Sequence, residues 1–254
     1  MTGSGNIAPL TYTLRLADNA LVLGQRLIER VTHEPELEEE LATANIALDY
    51  VGQARLFYSH AGSLEGEGRD EDDFAYLRDA HEFQNFLLVE QPGGHFGDAI
   101  VRQVLFQTFY LLQLEALIQS TERRLAEIAA RAVNEVRYHV RNSSRWLVRL
   151  GDGTEESHTR MQRSIDEHWR FVGELFAGDE TDERFRNEWN GPDLATMQTA
   201  WSETISTLLA EATLEQPANE WLSGGGRQGL HSESFGYLLN ELQGLKRAHP
   251  DARW

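Results

Sequence analysis

Arg123–Gly153 reads RRLAEIAARAVNEVRYHVRNSSRWLVRLGDG, and its apolar residues decide the fold. Leu125, Ile128, Ala129, Ala132, Val133, Val136, Val140 and Leu147 recur at intervals of three and four. That spacing gives a helix one apolar stripe, to be buried against other helices. With each residue turning by about 100°, His139 falls inside the stripe and Glu135 on its margin. They sit four apart, so both reach toward the same neighbours. A carboxylate and an imidazole at the wall of a helical core have two readings. Metal-binding bundles place a Glu-x-x-His pair, three apart, on two of their four helices. A plain core uses the carboxylate to hold the imidazole, and the spacing of four favours this reading. Gly151-Asp152-Gly153 supplies a glycine stop for the helix.

Working outward, the rest of the chain is also helical. Thr11–Val31 is the first long helix, with Leu14, Ala17, Leu21, Leu27 and Ile28 as its stripe. Pro35 opens a second, Glu36–His60, whose first turn is acidic, as the helix dipole favours. Ala61–Asp73 reads as a solvated loop and Asp73–Glu90 as a shorter helix ended by Gln91-Pro92-Gly93-Gly94. Gly97–Gln119 is the third long helix and the most apolar. After the fourth, Arg123–Gly153, come Ser157–Phe176, an acidic, turn-rich connection at Gly178–Pro192, Leu194–Leu214, a Gly224-Gly225-Gly226 turn, and Glu233–Ala248. No segment alternates with period two for long enough to be a strand. Four helices of about 20–30 residues, each some 30–45 Å long, make a bundle. The long insertion between the second and third matches the crossover of ferritin-like bundles. The expectation is an all-α, ferritin-like four-helix bundle over about residues 11–150, with additional C-terminal helices over about 157–248, all in one domain, 1–254.

Composition excludes several function classes. The 254 residues carry a net charge of −18. That disfavours nucleic acid, which needs clustered Lys and Arg, and an anionic membrane surface. Lys246 is the only lysine. There is no cysteine, so disulfides, thiolate metal sites and cysteine nucleophiles are excluded. No apolar run approaches the ~20 residues of a membrane span, and Met1–Pro9 lacks the basic start and apolar core of a signal peptide. The expected location is the cytoplasm.

A ferritin-like bundle invites one test of chemistry. A di-iron site takes a Glu from each of two helices and a Glu-x-x-His from each of the others. Only Glu155–His158 fits that motif, and it lies at a helix start, where chance explains it. The second helix carries Asn45, Asp49 and Gln53 instead, four apart, among Leu41, Ile46, Leu48, Tyr50, Val51, Ala54 and Phe57. Such a stripe is expected to be buried and hydrogen-bonded. The third helix offers Gln103, Gln107 and Gln113, with Asp98 and Glu115 only near its ends. The first has Asp18 beside the amides Asn19 and Gln25. Asp18, Asn45, Asp49, Gln53, Glu135 and His139 are therefore ligand-like positions with weak ligand chemistry, best read as a structural hydrogen-bond network. His81 and His168 read as helix-surface or capping histidines, and His231 as part of a helix start. No phosphate loop, dinucleotide fingerprint or serine elbow is present.

An ordered set of motifs carries a family resemblance over nearly the whole chain. Its pieces are Tyr12–Asn19, Leu41–Asp49 followed by Gly52–Arg55, Asn85–Pro92, Glu135–His139, Arg149–Thr154, and Gly229–Glu233 with the tail to Trp254. Together they resemble the C subunit of the bacterial phenylacetyl-CoA epoxidase, a multicomponent monooxygenase. The resemblance implies a ferritin-like structural subunit without a metal site of its own. Its partner would be a homologous catalytic A subunit holding di-iron, alongside other epoxidase subunits. Electrons would come from NADPH through a reductase that carries flavin and an iron–sulfur cluster. The alternative function is an independent ferritin-like di-metal oxidase or oxygenase, for which Glu135 and His139 retain a ligand-like pair.

Overall fold

The computed structural model describes residues 7–218 and 222–252; Met1–Asn6 and, in the tail, Arg253 and Trp254 lie outside the described residues. The four long helices are α1 (Ile7–Ile28), α2 (Leu37–Glu65), α4 (Phe96–Leu117) and α5 (Arg123–Gly151). Among the described residues no strand is formed. α1 packs along α2, α4 along α5, and α2 against α5 to close the bundle. This all-α arrangement, with the long crossover between α2 and α4, is the ferritin-like one expected. The α5 stripe is buried as its spacing requires, and His139 within it is fully covered. Glu122 starts α5 by accepting the Leu125 N–H at 2.6 Å, which satisfies an orphan donor of the first turn. α4 is buried on nearly every side, in keeping with its apolar composition.

Three expectations about the connections are corrected. Asp73–Glu90 is not one helix. A short α3 (Glu71–Tyr76) and a single 3-10 turn at Ala80–Glu82 are followed by irregular chain. Side chains from elsewhere take the backbone donors of that chain. The N–H of Gln84 goes to Asp18, that of Phe86 to Asn19 and that of Leu87 to Glu174, at 2.8, 2.8 and 2.7 Å. A backbone whose donors are used in this way has no need of a helix. Ser157–Phe176 is likewise two helices, α6 (Glu155–Trp169) and α7 (Val172–Phe176), and Ser223 N–H donates to the Arg170 carbonyl between them at 2.7 Å. The acidic connection at 178–192 contains α8 (Glu180–Trp189), begun by an Asp179–Asp182 capping box and stopped by left-handed Asn190. α9 (Leu194–Glu211) and α10 (Glu233–Ala248) follow.

The added helices cover the bundle rather than form a separate core. Phe185 of α8 stacks on Tyr12 of α1 at 4.3 Å between ring centres. Trp201 of α9 donates its indole N–H to the Leu105 carbonyl of α4 at 3.0 Å. Buried apolar residues from α1 to α10 form one continuous cluster. Among the described residues no helix is long and apolar enough to cross a membrane.

Candidate functional site between the second and fifth helices

Four of the six ligand-like residues meet where α2 faces α5. Each helix offers two residues four apart, so two side chains from each point across the same gap. Gln53 is buried; its Nε2 donates to Glu135 Oε2 at 2.9 Å, and its Oε1 accepts the Tyr110 hydroxyl at 3.0 Å. His139 Nε2 bonds Asp49 Oδ2 at 2.9 Å. With a carboxylate at Nε2, that nitrogen donates its proton to Asp49. His139 Nδ1 and the Tyr50 hydroxyl are both buried and have no partner within the protein, and the two rings pack with centres 5.2 Å apart. Burial raises the pKa values of Tyr50 and Tyr110, so both are neutral phenols. Deeper in, Ser143 donates to Gln107 Oε1 at 2.8 Å, and Gln107 donates to Gln103 at 3.2 Å.

The cluster has a dry end and a wet one. Tyr50, Gln53, Tyr110 and His139 are enclosed, whereas the Asp49 side chain is 39% exposed. A groove of about 440 Å³ runs over the wet end, lined by Asp49, Gln53, Arg124, Arg131 and Glu135 among others. This corrects the expectation that the α2 polar stripe is buried throughout. Asn45 is exposed and bonds only the Leu41 carbonyl of its own helix, at 2.8 Å. Leu41 and Leu48 face solvent beside it, because α2 turns its opposite face to α1.

Asp18 does not join this cluster. It is fully buried and accepts bonds from the Tyr58 hydroxyl at 2.6 Å, the Gln84 N–H and the Arg78 guanidinium. Burial works against the charge on Arg78, but Asp18 outweighs it and raises the guanidinium's pKa. The donor set does not suit a di-iron centre. Asp18 of α1 is spent on Arg78, α4 presents amides, and Gln53 stands in α2 where a strong ligand is needed. Asp49 and Glu135 are each engaged with a neighbouring side chain. Among the described residues, no group of three or more His, Asp and Glu side chains is placed to hold a metal ion. Glu155 is exposed at the start of α6, and His158 bonds the Gly151 carbonyl at 2.8 Å.

Sequence reasoning missed a second polar centre. Glu90, fully buried, accepts the Ser232 N–H at 2.6 Å, Asn85 Nδ2 at 3.0 Å and His231 Nδ1 at 2.7 Å, while His231 Nε2 donates to the Phe83 carbonyl at 3.0 Å. Burial alone lowers the pKa of His231, but the bond to Glu90 and its charge prevail and raise it. Glu174 of α7 caps the Leu87, Gly225 and Gly226 N–H groups at 2.7–2.9 Å. A side chain at Gly226 would collide with the Asn85 carbonyl. The available signal was a lone charge inside the apolar run Phe86-Leu87-Leu88-Val89-Glu90. His168, expected on a helix surface or cap, is instead buried and bonds the Ser164 carbonyl at 2.9 Å. The motifs Tyr12–Asn19, Asn85–Pro92 and Gly229–Glu233 thus converge on one loop.

The chain is 47% identical over 243 residues to the C subunit of 1,2-phenylacetyl-CoA epoxidase from Escherichia coli (strain K12), covering 96% of this chain and 98% of that protein. The family model described as "Phenylacetic acid catabolic protein" matches residues 2–254. The chain belongs to the phenylacetic acid catabolic protein family.

Proposed function

We propose that this chain is the structural C-type subunit of a phenylacetyl-CoA epoxidase in phenylacetate catabolism. It supports a homologous di-iron catalytic subunit and carries no catalytic residue of its own. The observation that carries the reading is Gln53. Its amide fills the position on α2 where a di-iron bundle needs a strong ligand, and both ends of that amide are used, by Glu135 and Tyr110. Hard carboxylate and imidazole donors are what iron in such a site requires. The relationship to an epoxidase C subunit points the same way. Iron in the partner, and NADPH, flavin and an iron–sulfur cluster in a reductase, belong to this reading as components of the assembly.

Exposed apolar residues on α2 and α5 support association. Leu37, Leu41 and Leu48 are 58–65% exposed along the outer face of α2, and Tyr138 of α5 is 46% exposed. Exposed apolar rows of this kind mark protein contacts. The alternative, an independent di-metal oxidase, is not favoured by the donor chemistry. The test is omission. Catalytic subunit and reductase are assayed for epoxidation of phenylacetyl-CoA with and without this chain, and the catalytic subunit's thermal midpoint is followed as this chain is titrated in. Turnover that needs this chain, with a midpoint rising with its concentration, is the expected result. Full turnover without it, or oxidation by this chain alone, contradicts the proposal.

A further inference from the structure

The groove over α2 and α5 is flanked by two strips of side chains that repeat every seven residues. Leu41, Leu48 and Arg55 follow one another on α2; Arg124, Arg131, Tyr138 and Arg145 do so on α5. Seven residues make two helical turns with a drift of about 20°, so each set runs down one side of its helix. All of these side chains are exposed. The Asp49–His139 and Gln53–Glu135 bonds show the two helices to be antiparallel. Leu48 therefore stands near the level of Tyr138, and Arg55 near that of Arg131. Between the strips Leu56, Ile128 and Ala132 line the groove. At Gly52, midway along, space is open where a side chain would stand.

Charge sets this rim apart from the rest of the molecule. The chain has a net charge of −18, yet α5 carries seven arginines against two glutamates. Arg55 and Arg124 each have one carboxylate, Glu71 and Glu127. Arg131 and Arg145 form no hydrogen bond or ion pair with any described residue. The groove's own carboxylates, Asp49 and Glu135, are held by His139 and Gln53, so the arginines are left to whatever enters. A planar guanidinium suits a carboxylate through two parallel bonds. A seven-residue repeat on both walls is the pattern that takes the apolar seam of a third helix.

We infer that this groove receives an amphipathic helix of the catalytic subunit, with its apolar seam on Leu48, Leu56 and Ile128 and a flanking row of carboxylates on Arg131 and Arg145. The inference rests on the supporting role proposed above and adds the surface and the chemistry of the contact. Burial of the exposed leucines of α2 supplies the attraction. The arginine row fixes the direction and register of the incoming helix and rejects basic ones.

The chain has no cysteine, so Asn45→Cys places a single thiol on the α2 strip, between Leu41 and Leu48. A benzophenone attached there is illuminated in the complex of the full chain with the catalytic subunit, and cross-linked peptides are read by mass spectrometry. They should fall on one helix of the catalytic subunit, with apolar residues every three or four positions and Asp or Glu beside them. Arg131→Glu with Arg145→Glu should raise the dissociation constant for the catalytic subunit about 100-fold. Arg160→Glu with Arg163→Glu on α6 makes the same change in net charge and should leave it within about threefold of wild type. Leu48→Asp, a second and single-site variant, should weaken binding about tenfold. Folding of each variant is checked by its thermal midpoint. Cross-links to loops or to a second copy of this chain, or wild-type affinity in the folded Arg131/Arg145 variant, would overturn the inference and leave the supporting role standing. No complex between the wild-type chain and the catalytic subunit would overturn both.

Discussion

The α2/α5 cluster and the crossover-loop centre use the same residue types for different ends. At the crossover, Asp18, Arg78, Glu90 and His231 hold segments far apart in sequence, and both carboxylates are fully buried. At the α2/α5 gap, Asp49 and Glu135 each pair with one neighbour, and a groove opens over them. Two buried polar atoms there, on Tyr50 and His139, have no protein partner. The difference shows that polar side chains inside a bundle are not evidence of a metal site. One set replaces helix in an irregular crossover. The other occupies the place where this architecture elsewhere holds metal.

The largest effect that separates the regions is expected from Asp18→Ala. It strands Arg78, the Tyr58 hydroxyl and the Gln84 N–H in the interior, and breaking such a buried pair costs about 3–5 kcal/mol. Urea unfolding measures it, and a loss no larger than that of Asp49→Ala would erase the distinction between the two regions. Glu90→Gln keeps the shape but removes the charge facing His231. A loss of about 1.5–3 kcal/mol is expected, and an unchanged midpoint would show that the loop is held without it.

The pH dependence sharpens the same contrast. His231 has a raised pKa in the folded state. Its contribution is fully present below the unfolded value, ~6.5, and is lost as pH rises through the raised folded value. Stability should therefore decline over that window, and His231→Gln should flatten the decline; an identical slope in the variant would remove His231 as its source. The smallest effect is expected from Asp49→Ala. Its side chain is 39% exposed but its partner His139 is fully buried, so water replaces only part of the lost bond and a cost of about 1–1.5 kcal/mol is expected. A loss of several kcal/mol would mean that the α2/α5 cluster is as tightly built as the crossover.

Periodicity exposed the four long helices because an apolar stripe is a local pattern, and it placed His139 in the core before any contact was known. What it could not expose is set by distant partners. Residues 83–90 have helical composition, but their N–H groups belong to Asp18, Asn19 and Glu174. Asp18 looks like a ligand in sequence; Arg78, sixty residues later, claims it. Asn45 continues a four-residue spacing with Asp49 and Gln53, yet its outward direction depends on where α1 packs. α8 was hidden inside a stretch read as an acidic, turn-rich connection, because Phe185 is its one buried side chain and a single apolar residue makes no stripe. The Gln53–Glu135 and Asp49–His139 pairings required both helices to be seen together.

The central claim is that the α2/α5 cluster supports the fold and the assembly without taking part in oxidation. Its most direct test reconstitutes epoxidation with catalytic subunit, reductase and this chain carrying Glu135→Ala together with His139→Ala. Folding and partner affinity are measured on the same sample. Near-normal turnover from a folded, partner-bound double variant is the expected result. Wild-type partner affinity with turnover reduced by orders of magnitude would place chemistry in this chain and contradict the account.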